Sequence, residues 1–220
     1  LTGPAVRRVR LERPSLRREQ AFLAAARRSR KLHGVFVEVP GSAEQYAAYL
    51  RRQWRPTQAS FFVVDARSDE LAGVVNVNDI VLDARWSGSL GYYAFEPYAG
   101  RGLMREAVPL VIAHAFGALK LRRLEASIQP SNTRSIALVE SLGFTLEETS
   151  PRCLKIRGRW REHQRWALLA EDWRGVSAGP RPAERRRQVQ TSSTASTADV
   201  STSSAAAAAE RPRVNAASRS

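Results

Sequence analysis

The chain has 220 residues, 35 Lys plus Arg against 21 Asp plus Glu, a net charge of +14 and 43% hydrophobic residues. That length suits one domain with a tail, and that apolar share excludes disorder throughout. One Cys excludes a disulfide framework or a Cys-rich zinc module, three His make a metal site unexpected, and no apolar run nears the ~20 residues of a membrane span.

In chain order, residues 16–30 (LRREQAFLAAARRSR) carry Phe22, Leu23 and Ala26 on one face, which predicts a helix capped by Ser15. Ser42-Ala-Glu-Gln45 matches a capping box and opens a second helix, whose Tyr46, Tyr49, Leu50 and Trp54 share a face. Residues 60–65 (SFFVVD) and 71–82 (LAGVVNVNDIVL) read as two strands of a hairpin, and 89–95 (SLGYYAF) as a third strand. Residues 103–119 predict a helix with Leu103, Ala107, Leu110, Val111, His114 and Ala118 on one stripe and Pro109 inside it. A strand over 124–129 and a short helix over 132–142 follow, the helix capped by Ser131 or Asn132 and closed by Gly143. Strands over 144–149, 153–157 and 160–169 complete the pattern, with Cys153 expected to pack inside its strand.

This order predicts an α/β domain over residues 1–174. Its central sheet is mixed and mostly antiparallel, with about seven strands, flanked by about four helices. Residues 175–220 are rich in Ser, Thr, Ala and Arg, lack aromatics and have Val as their only larger aliphatic, so they are expected to form a disordered tail. The tail has seven Arg against three acids, which leaves +10 on residues 1–174. A basic domain favours acidic partners: a phosphorylated cofactor, RNA or an acidic protein surface. No apolar stretch typical of a secretory signal opens the sequence, and a reducing cytoplasm is the expected compartment.

The most informative stretch is Gly91–Glu106, GYYAFEPYAGRGLMRE. A strand ends at Phe95, and Gly100-Arg101-Gly102 leads straight into a helix. Backbone N–H groups at a helix start lack partners, and glycines let phosphate oxygens approach them. Arg101 and Arg105 add charge. The loop is no Walker motif, and the third glycine of GxGxxG is missing, so neither a nucleoside triphosphate nor NAD is expected.

Residues 91–116 followed by 123–144 resemble the core of the GNAT superfamily of acetyl-CoA-dependent N-acetyltransferases, most closely the branch that acetylates ribosomal-protein N-termini (the RimJ/RimL type). Gly100-Arg101-Gly102-Leu103-Met104-x-Glu106-Ala107 is typical of that branch, although Ala99 and Met104 depart from the superfamily signature Q/R-x-x-G-x-G/A. Asn132, then Ser135, then Gly143-Phe144 match the second signature, and Gly158-x-Trp160 through Asp172-Trp173 resembles the branch's C-terminal end.

The resemblance implies that strands splay at the cofactor site. It implies that Gly100, Arg101, Gly102, Leu103, Met104 and Arg105 bind the pyrophosphate of acetyl-CoA, and that Tyr93, Ala94 and Phe95 pair with its pantetheine arm. Asn132 would lie near that arm and Ser135 at the sulfur. Some GNAT enzymes use a later Tyr as the acid; no Tyr follows Tyr98. Glu96, at the strand end, is the candidate base, with Asn78 or Asp79 on the neighbouring strand. The expected activity is acetyl transfer to a primary amine, a protein or peptide α-amine first, by direct attack in a ternary complex and without a metal. A small amine (antibiotic or polyamine) and a non-catalytic CoA-binding regulatory module are the alternatives. Contact with the ribosome or RNA through the basic surface, no membrane partner, and a monomer or homodimer complete the expectations.

Overall fold

The run SFFVVD is apolar without a break because both of its faces are covered. In this computed structural model, which describes residues 7–34 and 36–175, it forms β2 (Ala59–Asp65). Phe61 and Val63 point to one layer of the core, Phe62 and Val64 to the other. A strand alternating between two buried faces reads as a continuous hydrophobic run.

Among the described residues, seven strands form one sheet in the order β1-β2-β3-β4-β5-β7-β6. The others are β1 (Val9–Glu12), β3 (Leu71–Val81), β4 (Ser87–Ala94), β5 (Arg123–Ile128), β6 (Thr145–Ile156) and β7 (Arg159–Leu169). Only β4 with β5 is parallel; every other pairing is antiparallel. Helices α1 (Glu19–Arg28), α2 (Arg30–His33) and α3 (Ala43–Gln53) come before β2, α4 (Leu103–Gly117) links β4 to β5, and α5 (Thr133–Ser141) links β5 to β6. The side chains of α4 join one core layer, and those of α1 and α3 the other. The sequence-derived architecture therefore holds, with five α-helices among the described residues in place of about four. No helix among the described residues is long and apolar enough to cross a membrane. The tail expected to be disordered lies, beyond Gly175, outside the described residues.

Several local expectations change. Ser15 makes no side-chain cap, because a 3-10 turn (Leu16–Arg18) precedes α1 and the Ser15 carbonyl accepts the Tyr46 hydroxyl at 2.7 Å. The Ser42 hydroxyl does cap α3, accepting from the Gln45 N–H at 3.3 Å, but the Gln45 side chain reaches Gly41 N, one residue before the box position. Tyr46, Tyr49 and Leu50 are buried as predicted, whereas Trp54 falls at the C-cap and is 75% exposed. On α4 the buried stripe runs through Leu103, Ala107, Val108, Val111, Ile112 and Ala115; His114 is half-buried against Phe61 and Ala118 is exposed. The helix continues through Pro109 to Gly117.

Helix α5 ends as the sequence predicts. Gly143 takes φ +91° and donates to Glu140, and Phe144 N–H reaches the Val139 carbonyl at 3.1 Å. That is the Schellman arrangement, with Phe144 and Val139 both buried. The two short strands predicted over 144–157 are one long strand, β6, whose pairing with β7 shifts register twice. Cys153 lies exposed on it rather than packed, because β6 is an edge strand with few buried residues.

Candidate active site

The site begins with an incomplete ladder. Strand β4 pairs with β3 from Ser89 to Ala94, but with β5 only through Ser87–Ser89 opposite Arg123–Glu125. Beyond Ser89 the two parallel strands part, while β5 stays paired to β7 along its length. Gly88 sits at the fork: a Cβ there would stand 2.7 Å from Val77 and 3.1 Å from Leu121. Above it a cleft of about 1190 Å³ opens along Gly91, Tyr92, Tyr93 and Ala94. An irregularity in β3 lies opposite Ser87–Ser89. There the register breaks between Asn78 and Val81, and Asp79 takes φ +51°. Both Asn78 and Asp79 line the cleft.

The glycine loop forms one wall. Gly100 and Gly102 have φ +78° and +81°, values that suit glycine. A Cβ on Gly100 would meet nothing within 4 Å, so its backbone faces open space. The amides of Gly100, Gly102, Leu103, Met104 and Arg105 find no acceptor among the described residues. They converge on the positive end of a 15-residue helix. Tyr98 holds the loop to the β2–β3 turn, donating to Glu70 and meeting Ser68, both at 2.8 Å. Arg8 holds the start of α4 through its ion pair with Glu106 and a bond to the Arg101 carbonyl. The Arg101 guanidinium instead covers the Tyr98 ring at 5.7 Å and is not among the cleft-lining groups. An anion with a flat, extended arm fits this cradle and the open edge of β4.

The opposite wall is the start of α5. Asn132 is its N-cap, with its side-chain oxygen accepting from the Ser135 N–H at 3.3 Å. The Ser135 carbonyl accepts the Tyr92 hydroxyl at 2.9 Å, across the gap between the strands. The Ser135 hydroxyl has no partner among the described residues and borders the cleft. Burial pushes the Tyr92 phenol up to about 12, so it stays a donor.

Of the other sequence candidates, Tyr93, Ala94, Gly100, Gly102, Leu103, Met104, Arg105, Asn132 and Ser135 line the same cleft. Phe95 does not: it is fully buried in the second core layer. Glu96 does not line it either; its N–H donates to Ser29 and its carbonyl accepts from Arg28. The carboxylates that do line the cleft are Glu38 and Asp79. His33 is a residue the sequence reading missed. It lies on α2, buried, with Nε2 at 2.9 Å from the Ala94 carbonyl, and its ring meets Tyr93 edge-on. No local pattern around His33 marks it, because its partner is 61 residues away.

An anion cradle at a helix start, beside a strand edge left open by a parallel fork, is what the sequence resemblance implied. Residues 8–145 match the family described as "Acetyltransferase (GNAT) domain". The chain belongs to the GNAT acetyltransferase family. Among GNAT relatives, the Bacillus subtilis (strain 168) protein YjcK, described as a probable N-acetyltransferase, is 34% identical over 137 residues, covering 62% of this chain and 76% of that protein. The [Ribosomal protein uS5]-alanine N-acetyltransferase of Escherichia coli (strain K12) is 34% identical over 113 residues, covering 51% of this chain but only 58% of that enzyme. Mycobacterium smegmatis RimJ, solved in complex with CoA-disulfide, shares the fold with a TM-score of 0.68 at 24% identity, covering 74% of this chain and 82% of that one.

Proposed function

We propose that this GNAT acetyltransferase acetylates the α-amine of a protein or peptide N-terminus, using acetyl-CoA. The observation that carries the reading is the forked β4–β5 edge, with the unpartnered amides of Gly100 and of Gly102 to Arg105 at one wall and the free Ser135 hydroxyl at the other. The E. coli relative, named for acetylating an alanine of a ribosomal protein, supports this acceptor class.

Acetyl-CoA supplies an activated carbonyl on a good leaving thiolate. The protein's tasks are to hold it, orient it and manage two protons. Gly100, Gly102 and the first amides of α4 bind the pyrophosphate. The outward backbone of Tyr93 and Ala94 aligns the extended arm as an added strand would. As the amine nitrogen bonds to the acetyl carbon, the carbon–sulfur bond breaks, and the Ser135 hydroxyl hydrogen-bonds the departing sulfur. Asp79 and Glu38 attract the amine as its cation. Either carboxylate can take, directly or through water, the proton it sheds before attack, and the proton it sheds as the amide forms passes through water to the departing thiolate. An α-amine, with a pKa near ~7.7–8.0, needs only modest help. The Glu96 carboxylate is given no role, since the cleft does not reach it.

The test incubates the full chain with acetyl-CoA and three acceptors: a peptide with a free N-terminus, the same peptide blocked there, and spermidine. Released thiol and the site of the acetyl mark are measured. Thiol release with the free peptide, with the mark on its α-nitrogen, is expected. Turnover of spermidine alone, or thiol release that ignores every amine, would overturn the reading.

A further inference from the structure

A second, shallower cavity of about 750 Å³ adjoins the cleft. The two share Glu38, Pro40, Tyr49 and Arg52, and the second takes nothing from β4, the glycine loop or α5. Its wall is strongly cationic. Arg51 and Arg52 come from the last turn of α3, Arg55 lies just past its C-cap, and Arg157 comes from the tip of the β6–β7 hairpin. Glu38 is the one carboxylate on this wall, and it already accepts the Arg157 backbone N–H.

None of these four guanidinium groups forms an ion pair among the described residues. Six other arginines, Arg8, Arg10, Arg18, Arg122, Arg123 and Arg165, do face carboxylates; what sets this groove apart is that four unpaired guanidinium groups line one cavity. Cations that line one cavity repel each other unless a ligand brings the opposite charge. The field also reaches the cleft, where burial holds the His33 imidazole below its ordinary value and the Arg157 charge adds to that.

We propose that this groove receives acidic residues just downstream of the acetylated N-terminus, so that the enzyme selects protein substrates with Asp or Glu there. The proposal rests on the peptide reading above and narrows its substrate class. Continuity through Arg52 and Glu38 lets one extended chain occupy both cavities, at about 3.3 Å per residue. A polyamine would meet like charge in the groove. A nucleic acid would also meet cations, but the groove's one aromatic, Tyr49, is buried, with the Arg52 guanidinium over its ring at 6.0 Å, which leaves no stacking platform.

The experiment measures kcat/KM for the full chain with acetyl-CoA and peptides that share a first residue. The third to sixth residues are all acidic, all Ser or all Lys. The acidic peptide should be favoured over the basic one by about tenfold or more, mainly through KM. The preference should shrink as ionic strength rises. A double charge reversal, R51E with R55E, should abolish or invert it, with acetyl-CoA binding measured on the same sample as the control for folding. Equal kcat/KM across the panel, or preference for Lys, would overturn this inference while the peptide reading stands. Turnover of none of the peptides would overturn both. A short RNA that displaces the acidic peptide at concentrations below that peptide's KM would assign the groove to nucleic acid instead.

Discussion

The Tyr92 hydroxyl donates to the Ser135 carbonyl at 2.9 Å, tying β4 to the α5 wall of the cleft where β4 and β5 no longer pair. It stands in for the ladder bonds lost above the fork. It also fixes the first turn of α5, whose Ser135 amide is held from the other side by Asn132. The position of the Ser135 hydroxyl depends on both.

Tyr92→Phe removes this bond, at a cost of about 0.5–1.5 kcal/mol, while the Ser135 carbonyl keeps its place in the helical ladder of α5. Turnover should fall, with KM for acetyl-CoA changed less than kcat. In a cycle with Ser135→Ala, the double variant should lose little more than Ser135→Ala alone. Fully additive losses in kcat would show that Tyr92 does not act through Ser135.

Asn132→Ala deletes the cap of α5. The expected loss of stability is about 1 kcal/mol, measured by urea unfolding. Acetyl-CoA binding should weaken as well, since Asn132 lines the cleft. Asn132→Asp keeps the capping oxygen and should restore most of the stability. Equal destabilisation by the two substitutions would refute the capping role.

Gly73 on β3 faces the end of β4 at close range. A Cβ there would stand 2.6 Å from the Tyr93 carbonyl oxygen and 2.7 Å from the Met104 sulfur. Gly73→Ala must therefore push β4 and the start of α4 apart. The overpacking should cost about 1–3 kcal/mol and lower acetyl-CoA affinity, read by calorimetric titration. Unchanged affinity together with unchanged stability would contradict the packing described.

His33 gives the fold a pH dependence. Burial holds its imidazole below the ordinary value near 6.5; the Ala94 carbonyl opposes that shift and Arg157 adds to it. Burial shifts His114 the same way, with Arg13 adding to the effect. On acidification the unfolded chain takes up these protons first, so stability present above about pH 6.5 is lost as pH falls toward the folded values. The melting temperature should drop between about pH 7.5 and pH 5.5. His33→Gln should flatten that drop, and identical slopes for the two proteins would exclude His33 as a source.

Much of this was legible in the chain. The unbroken apolar run of β2 announces a strand buried on both faces, Ser42 and Asn132 announce helix starts, and Gly143 announces a stop. The Gly100-Arg101-Gly102 turn, followed by an amphipathic helix, announces an anion site. Each of these signals is written in a few neighbouring residues, because hydrogen bonding and side-chain periodicity within an element act over one or two turns. Strand periodicity also misled: Cys153 looked packed, but β6 lies at the sheet edge, and no local pattern states which strand is last.

What the tertiary structure alone decided is which of these residues meet. The bulge at Asp79 carries a carboxylate to the cleft, while Glu96, next to the strand that lines it, is turned away with its main chain tied to Ser29 and Arg28. His33 reaches Ala94 only because α2 packs at the end of β4, and Tyr92 reaches Ser135 only because β4 and β5 part above Gly88. Arg51, Arg55 and Arg157 become one groove only when the β6–β7 hairpin tip stands beside the end of α3. Those meetings depend on sheet register and on close packing between distant segments. A single sequence specifies such contacts only through the whole fold, so the chain could name the anion cradle but not the full set of groups around the cleft.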